Sequence, residues 1–288
     1  MLYMSIATLR ARQNPDGGWP YVRGGSWTEP TVYAVMAMSE AGETAAARHG
    51  LRWIRATRRD DGGWPPRPGI DQSTWVTALV ALLPPEQLGA EAHAGAISRL
   101  LGLRGEESTP LYRLRQWLLG IETPREQEFP GWPWVPGTAS WVGPTSLAIL
   151  ALEKDYNRRP RPHVIERIEQ GRSFLERRMC SGGGWNYGAP RALGYDALPY
   201  PETTGMALAA LRGWKAPEIR QGLDQARRFL EQCRSADALN WLRLGLHAHG
   251  QMPPGYCRPQ DVAYRTIPEA SLDILVSGAD AGHSIFWC

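Results

Sequence analysis

The sequence predicts an all-α fold, an (α/α)6 double-ring barrel (toroid) that forms a single domain over residues 1–288. Two observations lead to this prediction. A glycine–tryptophan turn recurs along the chain, and each copy is followed by a helix-like segment whose core carries no charge. Charged, amphipathic segments alternate with these uncharged ones. Because an uncharged helix must be buried on every side and an amphipathic helix covers only one side, the alternation predicts an inner and an outer layer of helices.

The recurring turns divide the chain into repeats. They read NPDGGW at residues 14–19, DDGGW at 60–64, the weaker FPGWPW at 129–134 and SGGGW at 181–185. Glycine permits a tight turn, and tryptophan stacks across it and can donate its indole hydrogen. We interpret Trp19, Trp64 and Trp185 as structural and leave them out of the candidate site.

The predicted helices follow from the two kinds of segment. The uncharged inner helices span residues 31–38, 74–83, 145–152 and 204–211. The amphipathic outer helices span residues 44–59, 86–103, 162–179 and 217–234. In the last of these, Leu223, Ala226 and Leu230 share one apolar stripe. Short connections make neighbouring helices antiparallel.

The remaining segments complete the predicted ring. Residues 110–121 and 238–250 are expected to bring the inner layer to six helices, although both carry basic residues. Residues 121–140 contain prolines and no helical period, so a loop is expected in place of one outer helix. A weakly helical segment at 268–277 is expected to pack on the first helix and close the ring.

Composition restricts the functional class. A net charge of +3 without a basic block argues against a nucleic-acid partner. Cys180, Cys233, Cys257 and Cys288 form no CxxC pair, which indicates free thiols in a reducing, cytoplasmic compartment. The first residues lack a signal-peptide core, and no stretch approaches the roughly 20 apolar residues that span a bilayer. A peripheral contact with a membrane is left open.

The turns match part of a known repeat signature: a basic and a small residue, an aromatic–aliphatic pair, then Gln-any-any-any-Gly-any-Trp. One copy is matched by Gly50, Trp53, Ile54, Gly62 and Trp64. Further matches are Gln13, Gly17 and Trp19; Gln127 and Gly131; Gly171, Phe174, Leu175, Gly183 and Trp185; and Ala226, Phe229 and Leu230. In these residues most of the chain resembles the terpenoid cyclase and protein prenyltransferase toroid superfamily, the squalene-hopene cyclase group in particular, with its prenyltransferase/squalene oxidase repeats. The resemblance implies a central cavity for a polyprenyl or similar hydrophobic substrate.

The resemblance also implies an acid site. Class II cyclases of this superfamily carry an Asp-any-Asp-Asp-Thr motif at the start of an inner helix. When its threonine is aligned on Thr204, the second aspartate falls on Glu202, and the first and third fall on Tyr200 and Thr203. Glu202 is therefore the candidate catalytic acid or base.

Two weaker candidates come from the same alignment. Glu29 falls at the second aspartate before Thr31 on the first inner helix. On the second, Trp75 takes the threonine's place and Asp71 falls at the first aspartate. Glu29 and Asp71 are therefore candidate assistants, and no helix carries the full motif.

The incomplete motif limits the chemistry. A lone glutamic acid in an apolar cavity has a raised pKa, so it cannot supply the strong acid that an isolated alkene requires. It suits protonation of an epoxide, an activated carbonyl or an enol ether, or proton removal from a cation. The alternative is structural, since carboxylates also favour helix N-termini and Glu202 and Glu29 would then cap inner helices.

Aromatic and basic residues supply candidate substrate contacts. The aromatic candidates near predicted inner-helix starts are Tyr112, Trp117, Trp141, Tyr200 and Trp241. A desolvated aromatic face stabilises a cation by about 0.5–2 kcal/mol, although the same rings suit an ordinary core. The basic candidates are Arg113, Arg243 and His247. A buried arginine needs an anionic partner, which is either a structural carboxylate or an anionic substrate group.

No cofactor or metal is predicted, because the chain has neither the Asp-any-Cys pair of zinc prenyltransferases nor a glycine-rich phosphate loop. Two functional hypotheses follow. One is a small cyclase-like isomerase or lyase that acts on an isoprenoid. The other is a non-catalytic toroid that binds an isoprenoid or a peptide for a partner enzyme.

Overall fold

The computed structural model describes residues 6–119, 129–192, 194–280 and 286–287. Within these ranges the chain is mainly helical. The first helices are α1 (Ile6–Ala11), α2 (Thr28–Glu40), α3 (Thr44–Ala56), α4 (Val76–Ala81), α5 (Pro85–Leu88), α6 (Ala90–Gly102) and α7 (Pro110–Leu118), with a 3-10 turn at Glu106–Ser108. They are followed by α8 (Val142–Arg158), α9 (Pro162–Arg177), α10 (Pro201–Ala210), α11 (Ile219–Gln232), α12 (Ala236–Ala248) and α13 (Ile267–Asp280). Short strands form two antiparallel pairs, β1 (Trp132–Pro133) with β2 (Ser140–Trp141) and β3 (Arg191–Ala192) with β4 (Tyr195–Asp196).

The chain divides into two compact units. Unit 1 comprises Met1–Leu100, Arg234–Asn240 and Cys257–Cys288, and unit 2 comprises Leu101–Cys233 and Trp241–Tyr256. The predicted single domain over residues 1–288 stays a prediction. Each unit has its own buried helices.

In unit 1 the central helix is α2. Its residues from Pro30 to Met38 are all buried, as expected for a helix without charge in its core. It contacts α1, α3, α4 and α13. The helix predicted near the C-terminus is α13, and it packs on α1 and α2 as expected.

In unit 2 the central helices are α8 and α10, which pack against each other. All residues of α10 from Thr203 to Ala210 are buried. The outer helices α9 and α11 pack on α8 and α10, respectively. Gly205 brings α10 against α12, since a Cβ atom on Gly205 would lie 2.2 Å from the carbonyl carbon of Trp241.

The four predicted turns share one set of hydrogen bonds. The backbone amide of the repeat tryptophan donates to a threonine hydroxyl at the start of the following buried helix. The pairs are Trp19 with Thr31 (2.8 Å), Trp64 with Thr77 (3.0 Å), Trp132 with Thr145 (2.9 Å) and Trp185 with Thr204 (3.0 Å). The indole nitrogens of Trp19, Trp64 and Trp185 donate to the carbonyls of Leu9, Ile54 and Leu175. The structural interpretation of these tryptophans is therefore confirmed.

Glycines on the outer helices make room for the tryptophan rings. A Cβ atom would lie 2.8 Å from the Trp19 ring at Gly50, 2.7 Å from the Trp132 ring at Gly171 and 2.8 Å from the Trp185 ring at Gly222. Glycines on the outer helices thus allow a close contact between each helix and a tryptophan ring.

Two helix predictions need correction. The outer helix predicted over 86–103 is two helices, α5 and α6, because Gly89 adopts a φ of 99° between them. The inner helix predicted over 110–121 is α7 where the structure describes it, and none of the residues of α7 is buried. Its basic residues make full burial unfavourable. Within the described ranges, no helix is both long enough and apolar enough to cross a membrane.

Candidate functional site

The shared turn geometry gives each repeat a common register. Three positions of the repeat supply the candidate residues. One lies two residues after the repeat tryptophan, and the other two lie four and two residues before the repeat threonine. The first repeat places Tyr21, Trp27 and Glu29 there, and the fourth places Tyr187, Tyr200 and Glu202. In the third repeat the corresponding residues are Trp134, Trp141 and Gly143. Two repeats therefore combine a tyrosine, a second aromatic residue and a glutamate.

In unit 2 these residues are in direct contact. Glu202 lies in the first turn of α10, and the Tyr187 hydroxyl donates a hydrogen bond to its Oε2 at 3.0 Å. The rings of Tyr187 and Tyr200 are 5.2 Å apart, centroid to centroid, and tilted by 38°. The acid is therefore joined to two aromatic residues that precede α10 in the chain.

Trp141 adds a third ring to this cluster. It ends β2 and precedes α8, whose first amide, on Val142, donates to the Tyr187 carbonyl at 2.9 Å. A Cβ atom on Gly188 would lie 3.4 Å from the Trp141 ring. The rings stay accessible, since Trp141, Tyr187 and Tyr200 are 37%, 39% and 49% exposed. We call these three residues and Glu202 the aromatic–acid cluster.

The surroundings of Glu202 make its ionisation less favourable than that of an exposed glutamate. Burial raises the pKa of the Glu202 carboxyl, and the hydrogen bond from Tyr187 offsets only part of this rise. Because Tyr187 occupies Oε2, a proton on Glu202 is best held on Oε1, where it can be donated. Glu202 is thus placed to act as a general acid.

A glutamate that only caps a helix has a different geometry in this chain. The Oε2 of Glu269 accepts hydrogen bonds from the amides of Arg265 (2.6 Å) and Thr266 (3.1 Å), and the Glu269 amide donates back to the Thr266 hydroxyl. This is a capping box at the start of α13. The phenol partner of Glu202 therefore distinguishes it from a capping residue.

Unit 1 contains the equivalent group in the first repeat. The Tyr21 hydroxyl donates to Oε2 of Glu29. The rings of Tyr21 and Trp27 meet edge to face at 5.5 Å, and the Arg67 guanidinium lies 5.2 Å from the Trp27 ring centre. Burial, followed by the charge of Glu29, raises the pKa of Tyr21 well above its usual range. Tyr21 therefore remains a hydrogen-bond donor, and Glu29 occupies the position that Glu202 has in the fourth repeat.

The alignment behind Asp71 is wrong by two residues. Thr77, and not Trp75, accepts the amide of the repeat tryptophan in the second repeat. The Asp71 side chain is 97% exposed and forms a salt bridge with Arg59. The structure thus gives Asp71 neither the register nor the surroundings of Glu202.

The other predicted residues lie in different environments. Tyr112, Arg113 and Trp117 belong to α7, where Trp117 is 75% exposed. Trp241 and Arg243 on α12 are buried, with 2% and 7% of their surfaces exposed, and His247 on the same helix is half-buried. Of the predicted aromatic residues, Trp141 and Tyr200 are those that belong to the aromatic–acid cluster.

Sequence reasoning missed Tyr187 and its counterpart Tyr21. A usable signal exists, because both lie two residues after a repeat tryptophan, and both repeats continue with aromatic-any-Glu-any-Thr. The third repeat supports this, since a Cβ atom on Gly143 would lie 3.4 Å from the Trp134 ring. In the third repeat, too, the position two residues after the tryptophan is therefore next to the position two residues before the threonine.

Among the residues that the structure describes, no group of three or more histidine, cysteine, aspartate or glutamate side chains is arranged to hold a metal ion. The absence of a metal or other cofactor stays a prediction.

The chain has the fold of an all-α toroid, which is the fold class that the sequence predicts. The chain is similar to the endo-β-1,4-glucanase CMCax from Acetobacter xylinum, with 16% identity, a TM-score of 0.60 and coverage of 97% of each chain. It is similar to a GH8 endo-β-1,4-glucanase from an Achatina fulica gut metagenomic library, with 14% identity, a TM-score of 0.61 and coverage of 96% and 97%. The type II terpene cyclase MstE from Scytonema is also similar, with 16% identity, a TM-score of 0.43 and coverage of 96% of each chain. No family model and no curated protein matches the sequence. At these identities the likenesses to the two glucanases show the fold alone.

Proposed function

We propose that the protein is an enzyme in which Glu202 is the general acid for a neutral, mainly apolar substrate bound at the aromatic–acid cluster. The observation that carries this proposal is the state of Glu202. Its pKa is raised by burial, its Oε2 accepts a hydrogen bond from Tyr187, and accessible aromatic rings lie next to it. This combination suits acid chemistry better than helix capping.

The raised pKa selects the reaction class. A carboxyl whose pKa is raised by burial keeps its proton to higher pH than an ordinary glutamic acid, and it is matched to a basic acceptor such as an epoxide, an activated carbonyl or an enol ether. An isolated alkene needs a stronger acid than a desolvated glutamic acid provides. We therefore propose acid-initiated cyclisation or isomerisation of a functionalised polyprenyl chain. Aromatic faces, each worth about 0.5–2 kcal/mol to a desolvated cation, would stabilise the positive charge that develops.

The test compares Glu202→Gln with the native protein on polyprenyl epoxides and enol ethers, with products identified by mass spectrometry. Glutamine keeps the shape and a hydrogen-bond acceptor but cannot give up a proton as an acid. Loss of general acid catalysis should lower turnover by about 10²–10⁴-fold, with an unchanged circular dichroism spectrum. The control is Glu218→Gln, since Glu218 is exposed in the same unit. Full activity of Glu202→Gln would refute the role of Glu202.

A second candidate function is the hydrolysis of β-1,4-glucans. It is favoured by the accessible rings of the cluster, because sugar rings stack on aromatic faces, and by the likeness in fold to two endo-β-1,4-glucanases. Glycoside hydrolysis usually needs two carboxyl groups about 5–9.5 Å apart, whereas the group bonded to Glu202 is a phenol. Release of reducing sugar from carboxymethylcellulose, abolished by Glu202→Gln, would establish this function instead.

The same substrate panel separates catalysis from binding. If a polyprenyl ligand or a peptide is retained and recovered unchanged, the protein is a binding module that presents it to a partner enzyme. A cyclised or isomerised product excludes that alternative. The discriminating measurement is therefore the chemical state of the recovered ligand.

A further inference from the structure

A cleft in unit 2 lies between the outer helix α9 and two aromatic rings. Its volume is about 450 Å³, which is within the range of small-molecule sites. The residues that line it are Phe129, Glu166, Glu169, Gln170, Ser173 and Trp214. All of them belong to unit 2, and none belongs to the aromatic–acid cluster. We call this space the α9 cleft.

One polar stripe of α9 forms the floor of the α9 cleft. Glu166, Glu169, Gln170 and Ser173 follow helical i, i+3, i+4 and i+7 spacing, so their side chains lie on the same face of the helix. The buried residues of α9 lie on the opposite face, which packs on α8. The stripe therefore points away from the core and into the cleft.

The polar groups of this stripe are not used elsewhere in the fold. Within the described part of the chain, the side chains of Glu166, Glu169, Gln170 and Ser173 have no hydrogen-bond or ionic partner. Both glutamates reach solvent, but the Oε1 atom of Gln170 is buried. A buried acceptor without a donor is costly, so this atom favours a ligand that brings a donor.

The two aromatic rings are held in place by the C-terminal turn of α9. The indole nitrogen of Trp214 donates to Oε2 of Glu176 at 2.9 Å. The Arg177 guanidinium lies 4.9 Å from the centre of the Phe129 ring. Both rings are half-buried. The cleft therefore has fixed aromatic walls, and Trp214 presents its ring rather than its indole hydrogen to a ligand.

The charge of the α9 cleft is negative. None of its described lining residues is basic, and two further arginines of α9 are engaged elsewhere. Arg167 donates to the carbonyls of Pro130 (2.8 Å) and Gly131 (3.0 Å), and Arg172 forms a salt bridge with Glu153 at 3.1 Å. The two glutamates of the stripe thus attract a cation.

We propose that the α9 cleft binds an aliphatic diamine or polyamine in its protonated form. Its ammonium groups would pair with Glu166 and Glu169, and Trp214 and Phe129 would offer ring faces to the cation. An ammonium group has three donors and no acceptor, which matches a stripe whose polar groups can all accept. A quaternary ammonium ion would leave Gln170 unpaired, and a neutral sugar would leave both charges uncompensated. The inference does not rest on the proposed function.

The test is isothermal titration calorimetry of the full chain with putrescine, a short linear diamine, at low salt and neutral pH. Saturable binding that weakens with added salt is expected. The double variant Glu166→Gln/Glu169→Gln should weaken binding by at least about tenfold, because both counter-charges are removed. Trp214→Leu should weaken it by about threefold through loss of a ring face.

A comparison of two amines on the native protein gives a result that no variant can disturb. Butylamine has the carbon chain of putrescine but a single ammonium group, so it should bind about fivefold more weakly. In the Glu166→Gln/Glu169→Gln variant this difference should disappear. Equal binding of the two amines by the native protein would contradict the pairing of two ammonium groups with the two glutamates.

The matched control is Glu218→Gln, which removes an exposed glutamate of the same unit and should bind putrescine like the native protein. Equal affinity of the native protein and the Glu166→Gln/Glu169→Gln variant would overturn the proposal. So would the absence of saturable putrescine binding. Binding of a cello-oligosaccharide without binding of putrescine would show instead that the cleft is a sugar site.

Discussion

The hydroxyl of Thr204 accepts a hydrogen bond from the backbone amide of Trp185 at 3.0 Å, and both residues are completely buried. The same bond recurs in the other three repeats. Without the Thr204 hydroxyl, the buried Trp185 amide would lose the hydrogen-bond acceptor that takes the place of water. The repeat is therefore held together by a threonine on the buried helix as much as by the glycine–tryptophan turn.

Replacement of Thr204 by valine should reveal the energy of this bond. Valine has nearly the same shape but leaves the Trp185 amide without its acceptor, which costs about 1–3 kcal/mol. The free energy of unfolding in urea should fall by that amount. Thr204→Ser keeps the hydroxyl and loses one methyl group, so it should cost about 1 kcal/mol or less. Equal effects of valine and serine would contradict the assignment.

Replacement of Gly222 by alanine should destabilise unit 2 through crowding. The new Cβ atom would lie 2.8 Å from the Trp185 ring, and overpacking of this kind costs about 1–3 kcal/mol. Gly102→Ala is the control, because a Cβ atom there meets nothing within 4 Å. That variant should be neutral or stabilise the helix by up to about 1 kcal/mol. Thermal unfolding of both variants checks the prediction, which fails if Gly222→Ala is not the less stable.

The fold was largely predictable because helices that are buried on all sides have cores without charged residues. The segments without charge lie in α2, α4, α8 and α10, and the uncharged cores of these helices are buried. The prediction failed at α7, where leucine and tryptophan occur at helical spacing but face solvent. Spacing identifies an apolar face, but it does not say what covers that face.

The candidate site was only partly predictable. Glu202 was found by motif alignment, whereas its partner Tyr187 lies in a loop 15 residues away whose path local propensities do not determine. The separation of the repeat tryptophan and threonine is 12, 13, 13 and 19 residues. The motif alignment placed its threonine position on Trp75, whereas the threonine that accepts the Trp64 amide is Thr77, and Asp71 followed from that placement.

Replacement of Asp71 by asparagine should leave the activity of the protein nearly unchanged. Asp71 is 97% exposed and paired with Arg59, and an exposed ion pair contributes at most about 1 kcal/mol. Its removal should change turnover by less than about twofold and unfolding only slightly. Loss of activity as large as that of Glu202→Gln would show that Asp71 acts at the site after all.

Asp61 should stabilise unit 1 in a manner that acid removes. Burial raises the pKa of Asp61, but hydrogen bonds from Ser73 and the Gly63 amide and the charges of Arg99 and Arg59 outweigh it, so the net pKa is lowered. A lowered folded pKa means that the stabilisation is present above the ordinary aspartate pKa and is lost as pH falls through the lowered value. Asp61→Asn should therefore reduce stability at neutral pH and have less effect in acid. Urea unfolding of both proteins over this pH range measures the difference.

Glu202 should give the opposite pH dependence. Because burial raises its pKa in the folded protein, ionisation costs more in the folded than in the unfolded state. The free energy of unfolding should be highest below the ordinary glutamate pKa, about 4.3, and should fall as pH rises through the raised pKa. Glu202→Gln removes this fall, so its stability relative to the native protein should improve with rising pH.

Tyr187→Phe provides the matched test of the same carboxyl. The Tyr187 hydrogen bond lowers the pKa of Glu202 and so opposes the effect of burial. Its loss should raise that pKa further and move the fall in stability to higher pH, while Glu202→Gln/Tyr187→Phe should show no such fall. Urea unfolding of the four proteins between about pH 4 and about pH 8 measures these curves. If native and Glu202→Gln proteins give parallel curves, Glu202 has an ordinary pKa and is not poised to donate a proton.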